Sequence, residues 1–183
     1  MNLVCRSWLG NGYYNVISDG CASNILGGWS NTISASGGPN TIIGGISNTI
    51  SAGEQHIILA GTSNSISSAI RGHIFASESS TITSGDKGVI IGGYGNGIAS
   101  TCNYNVIVAG YFQCISASGR GNSIFGGNSN TISGSSTNVT IIGGISVTAD
   151  RDNTTFTTHL IAKGQGASEV YNIGNWGTAT QPV

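Results

Sequence analysis

The sequence predicts an all-β fold, a parallel β-helix or β-roll solenoid of about nine turns, each 16 or 17 residues long. Three observations predict it. The tetrapeptide pattern Asn-x-Ile-Ser recurs at Asn15–Ser18, Asn31–Ser34, Asn48–Ser51, Asn64–Ser67 and Asn130–Ser133, with degenerate copies at Ser80–Thr83, Asn96–Ala99 and Gln113–Ser116. A small pair, usually Gly-Gly, precedes most copies and recurs with spacings of 17, 16, 16, 16, 17, 17 and 17 from Gly27-Gly28 to Gly143-Gly144. Gly, Ser, Thr and Asn stand throughout each unit, and the apolar residues show no 3.6-residue period, so helix is excluded.

Each unit reads x-Ile-φ-Gly-Gly-x-x-Asn-x-Ile-Ser followed by five or six variable residues. So short a unit cannot bury its own apolar face, and it must stack on its neighbours. The first Ile recurs as Ile25, Ile42, Ile58, Ile74, Ile90, Ile107, Ile124 and Ile141, with Leu9 as a weaker first copy. With the Ile of Asn-x-Ile-Ser it should form the interior, each side chain contributing about 1.5–3 kcal/mol on burial. The Gly pairs should supply positive φ or close backbone approach at a corner.

Two roles stand open for the Asn column of Asn15, Asn31, Asn48, Asn64, Asn96 and Asn130. The side chains either stack as an amide ladder at an inner corner or tolerate a left-handed turn. Both roles are structural. The residue after each invariant Ile is also apolar: Leu26, Ile43, Leu59, Phe75, Ile91, Val108, Phe125 and Ile142. Neighbouring residues in a strand face opposite ways, so these should point outward. A stripe of that size should meet other copies of the chain, as in a closed homotrimer. The alternative is a local bulge that turns both residues inward.

Residues 1–149 are read as the solenoid and 150–183 as a small β-rich cap or docking segment, because the repeat stops at Asp150. Trp8, Tyr13 and Tyr14 could cap the other end. Six basic and seven acidic residues leave no basic patch for nucleic acid, and no apolar run is long enough to insert in a membrane. Residues 1–11 carry Arg6 and no apolar run of signal-peptide length. Cys5 and Cys21 lie one repeat apart; free thiols are the preferred reading and a disulfide the alternative.

The chain is read as non-enzymatic, with no cofactor and no metal. No nucleophile elbow, phosphate loop or zinc spacing is present. Glu54, Glu78 and Asp86 are assigned to different repeat positions, which argues against the paired carboxylates of a polysaccharide-degrading tailspike. His56 and His73 are read as solvated or corner residues. Trp29, Tyr94 and Tyr111 share the column after the small pair, with Phe112 beside Tyr111, and form a candidate contact for glycan or partner. Thr and Ser pairs flanking the second Ile, such as Thr32 with Ser34 and Thr49 with Ser51, raise ice binding as an alternative, interrupted by Gly97 with Ala99 and Cys114 with Ser116.

The units Asn40-Thr41-Ile42-Ile43-Gly44-Gly45 and Asn122-Ser123-Ile124-Phe125-Gly126-Gly127 resemble the repeats of trimeric autotransporter adhesin heads. They are also similar to Gly-rich Asn-x-Ile repeats of phage tail fibres and related virion proteins. The resemblance covers roughly residues 9–148. It implies a homotrimeric shaft that works as a structural protein of a phage virion, either a tail-fibre segment or a capsid decoration protein. Its partners would be itself, other capsid or tail proteins and host-surface carbohydrate. A longer period and the missing anchor, stalk and export signal set the chain apart from the adhesins, so a bacterial surface or secreted adhesin is the alternative.

Overall fold

A computed structural model describes residues 6–19 and 21–157. Two parallel sheets stack along one axis in about nine turns of roughly 16 residues. The first sheet has ten strands, running from Trp8–Leu9 through Thr41–Ile42, His73–Glu78 and Val106–Val108 to Thr155–Thr157. The second has eleven, running from Val16–Ile17 through Thr49–Ile50, Thr81–Asp86 and Thr131–Ile132 to Thr148–Ala149, with two short strands off its main path. Every pairing between named strands is parallel and joins successive turns. The stacking runs on past residue 149: Phe156 lies in register with Ile141, and the remainder of the expected cap lies outside the described residues.

Register puts like over like. Leu9, Ile25, Ile42, Ile58, Ile74, Ile90, Ile107, Ile124 and Ile141 form one column. Ile17, Ile33, Ile50, Ile66, Ile82, Ile98, Ile115 and Ile132 form the other, which ends at Ala149. From Ile25 to Ile141 both columns are buried, and they make a continuous two-sided core. Branched Cβ atoms suit such short extended runs.

The Asn column is an inner ladder. Each backbone N–H donates to the side chain one turn earlier: Asn31 to Asn15, Asn48 to Asn31 and Asn64 to Asn48, all at 3.0 Å. The chain of donors continues through Ser80, Asn96, Gln113 and Asn130 to Val147. The left-handed residue is instead the one before each Asn: Ser30, Ser47, Ser63 and Ser129 have φ of 55–56°. Its N–H donates to the preceding turn, as from Ser47 to Trp29 O. The second residue of each Gly pair has positive φ as well, and a Cβ at Gly45 would lie 2.5 Å from Asn48 Nδ2. Where Ser77 replaces that Gly, Ser80 replaces the Asn three residues on, and the two hydroxyls bond at 2.5 Å.

A second ladder lies half a turn away, where the sequence reading placed none. It comprises Ser23, Asn40, His56, Gly72, Gly88, Asn105, Asn122 and Val139, all buried. His56 N donates to Asn40 Oδ1 at 3.1 Å, Asn122 N to Asn105 Oδ1 at 3.2 Å and Val139 N to Asn122 Oδ1 at 3.1 Å. Each turn is thus two similar halves. Eight residues separate Asn40 from Asn48, His56 from Asn64 and Asn105 from Gln113. The other half holds eight residues from Asn48 to His56 but nine from Asn31 to Asn40 and from Asn96 to Asn105. The 16- and 17-residue turns therefore differ in the arc that follows the second sheet.

His56 corrects the expectation of a solvated residue, since it is 0% exposed. Its Nδ1 accepts from Gly72 N at 3.0 Å, and its Nε2 lies 3.1 Å from Ala52 O. The neutral Nε2–H tautomer satisfies both contacts, and a second proton would collide with the Gly72 N–H. Burial holds its pKa below the ordinary 6.5. The unfolded chain then binds more protons than the folded one below that value, so stability should fall as pH drops through 6.5 and stay level above about 7. His56→Asn, the residue at Asn40 and Asn105, should flatten that decline in melting temperature against pH. Asp86 does not overlap this range: Arg71 holds its carboxyl below 3.8, so its contribution is lost only in stronger acid.

Candidate functional site

The solenoid presents two broad faces and two edges. On the first sheet the residues flanking the inward Ile point outward. Leu26, Ile43, Leu59, Ile91, Phe125 and Ile142 are exposed, while Phe75 and Val108 are half-buried. The bulge alternative is thereby removed for this column. Phe75 stacks in register on Leu59 and Ile91, and Val108 on Ile91 and Phe125. The other outward position of the same face carries Ile57, Val89 and Val106, with Thr41 and Thr140 nearer the ends. His73, in register with Ile57 and Val89, is the one ionisable side chain at these outward positions among the described residues. A shallow depression lined by Trp8, Leu9, Gly10, Asn11, Asn24 and Leu26 ends the stripe.

The outward face of the second sheet carries Thr32, Thr49, Ser65, Thr81, Gly97, Cys114 and Thr131 in one column. Ser34, Ser51, Ser67, Ser116 and Ser133 follow the inward Ile, just past the ends of these strands. Cys114 is a free thiol. Cys21 is disulfide-bonded, which corrects the expectation of free thiols there; Cys5 lies outside the described residues.

One edge is charged. Between Asn24 and Ala149 the charged residues are Glu54, Arg71, Glu78, Asp86, Lys87 and Arg120, and all but Glu78 stand on the edge that leads into the second ladder. Arg71 grips Asp86 through Nε at 2.9 Å and Nη2 at 2.6 Å, and Lys87 Nζ lies 4.1 Å from the centre of the Tyr104 ring. Glu54 and Asp86 occupy one column with Ile70 between them, rather than the different positions expected. They remain two turns apart, so no acid lies directly over another there. No group of three or more His, Cys, Asp or Glu among the described residues is placed to hold a metal.

The opposite edge is aromatic. Parallel bridges join Tyr13, Trp29, Ile46 and Thr62, and further along join Glu78, Tyr94, Tyr111, Asn128 and Ile145. Trp29 packs at 5.4 Å from Tyr13 and 5.8 Å from Tyr14. Tyr94 and Tyr111 stack at 5.2 Å with 14° between planes, and Phe112 meets both edge-on at 5.5 and 4.4 Å. The column therefore brings Tyr94, Tyr111 and Phe112 together and leaves Trp29 in a separate cluster four turns away.

These surfaces define a parallel two-sheet β-solenoid whose candidate sites lie on outward columns. No family model matches the chain, and no curated protein matches it.

Proposed function

We propose that the chain is a non-enzymatic structural protein that assembles with copies of itself through the apolar face of its first sheet, as a homotrimeric shaft of a phage virion. The observation that carries self-assembly is the stripe from Leu26 to Ile142. Seven strand steps of about 4.8 Å make it roughly 34 Å long, and two outward columns make it roughly 10 Å wide. A mainly apolar patch of roughly 300 Å² is of the size that often marks a contact site.

Another copy is the fitting occupant, because the face is almost free of charge and repeats at one spacing along its length. Cyclic closure about an axis parallel to the solenoid buries all the stripes together and leaves no open-ended growth. The charged edge, with its Arg71–Asp86 pair, then serves solubility. The virion setting rests on the likeness of the Asn-x-Ile-φ-Gly-Gly units to phage fibre repeats, and the partners it implies are capsid or tail proteins. A tail-fibre segment and a decoration protein both use such a shaft.

Immunogold labelling with antibody to the recombinant chain tests the setting. Label on purified virus particles is the expected result. Label confined to the bacterial surface would overturn it in favour of an adhesin.

A further inference from the structure

We propose that the corner formed by Tyr94, Tyr111 and Phe112 is a binding site for an uncharged glycan chain, with Glu78 and Asn128 as its polar ends. The inference does not depend on self-assembly, because it stands on the aromatic edge and not on the first sheet's face.

The strongest sign that the corner is built is the backbone of Phe112. Its column holds Ser30, Ser47, Ser63, Ser79, Ser129 and Ser146, all with positive φ. Phe112 takes the same left-handed conformation, at φ 52°, in which a bulky side chain is disfavoured. Its N–H keeps the column's bond, donating to Tyr94 O at 2.9 Å. The turn before it carries Gly95 in place of Ser, and a Cβ there would lie 2.4 Å from Phe112 Cδ1 and Cε1. Tyr14 shares that left-handed conformation at φ 56°, but only at Phe112 does the turn before supply a glycine whose missing Cβ admits the ring. The φ belongs to the fold; the ring placed on it is what sets this turn apart from the Ser turns.

The chemistry of the corner selects the ligand. Two stacked rings and a third nearly perpendicular to them offer apolar surface in two directions. All three rings are exposed, Tyr94 at 36%, Tyr111 at 47% and Phe112 at 48%. The C–H face of a pyranose packs on such rings, while its hydroxyls need donors and acceptors at the rim. The Tyr94 and Tyr111 hydroxyls, the Glu78 carboxylate and the Asn128 carboxamide supply them. Glu78 and Asn128 stand at the two ends of a run of three bridges, about 14 Å apart, the length of a short oligosaccharide. No Lys or Arg lies on this edge among the described residues, so a phosphate or sulfate polymer finds no countercharge.

The test titrates the full chain with maltohexaose, cellohexaose, chitohexaose and heparin, read by saturation-transfer NMR and calorimetry. At least one neutral hexasaccharide should bind saturably and heparin should not. Phe112→Ser installs the residue carried at Ser30, Ser47, Ser63, Ser79, Ser129 and Ser146. It should weaken that binding roughly tenfold or more while leaving the melting temperature unchanged or higher. Tyr111→Ala should weaken binding similarly. Binding by none of the neutral sugars, preferential binding of heparin, or a Phe112→Ser variant that keeps its affinity but melts lower would each overturn the proposal.

Discussion

Asn48→Ala should cost about 2–6 kcal/mol of stability. The side chain Nδ2 donates to Asn31 Oδ1 at 3.1 Å, Gly44 O at 3.3 Å and Gly61 O at 3.0 Å. Its Oδ1 accepts from Asn64 N at 3.0 Å and Asn64 Nδ2 at 3.1 Å. Truncation leaves the Asn64 N–H without its acceptor and the buried Gly44 carbonyl without its donor, at about 1–3 kcal/mol each, while Gly61 O keeps the Ile46 N–H. A folded domain holds only about 5–15 kcal/mol in total, so the melting temperature should drop steeply. Thr49→Ala, one residue on but half-exposed, should cost under about 1 kcal/mol. Equal losses for the two variants would mean that the ladder is incidental.

Ile91→Asp should leave each solenoid folded and abolish the proposed self-assembly. Ile91 is 44% exposed and sits mid-stripe between Phe75 and Val108. A carboxylate there meets water in the single chain, and the inward Ile90 is untouched. In the assembly it would be buried without a partner, once per copy, at a cost of several kcal/mol each. The variant should keep its β-type circular dichroism and sediment as a single chain. Thr49→Asp, on the other sheet, should leave the assembly intact.

The core was legible in the sequence because its constraint is strict. An inward side chain sits on its own copy above and below, so Ile58 and Ile74 must match in volume, and the repetition shows. The first ladder was legible for the same reason, since an amide serves each turn as both donor and acceptor. The second ladder was hidden by the looseness of what it requires. Asn40 and Asn122 supply amides, His56 supplies an imidazole nitrogen, and Gly72 and Gly88 supply only a backbone. Three chemistries at one position leave no motif. The left-handed residue before each Asn was masked because Ser carries no mark of positive φ. The same blindness hid the strain at Phe112, although its neighbours Tyr94 and Tyr111 followed from column counting alone. The gathering of most charges on one edge became visible only when Glu54 and Asp86 fell into one column through Ile70.

The mass of the unmodified chain in solution, measured by multi-angle light scattering at neutral pH, bears most directly on the proposed role of the apolar face. A homotrimer predicts three times 18.5 kDa, which is 55.5 kDa. A stable 18.5 kDa particle at micromolar concentration would contradict it.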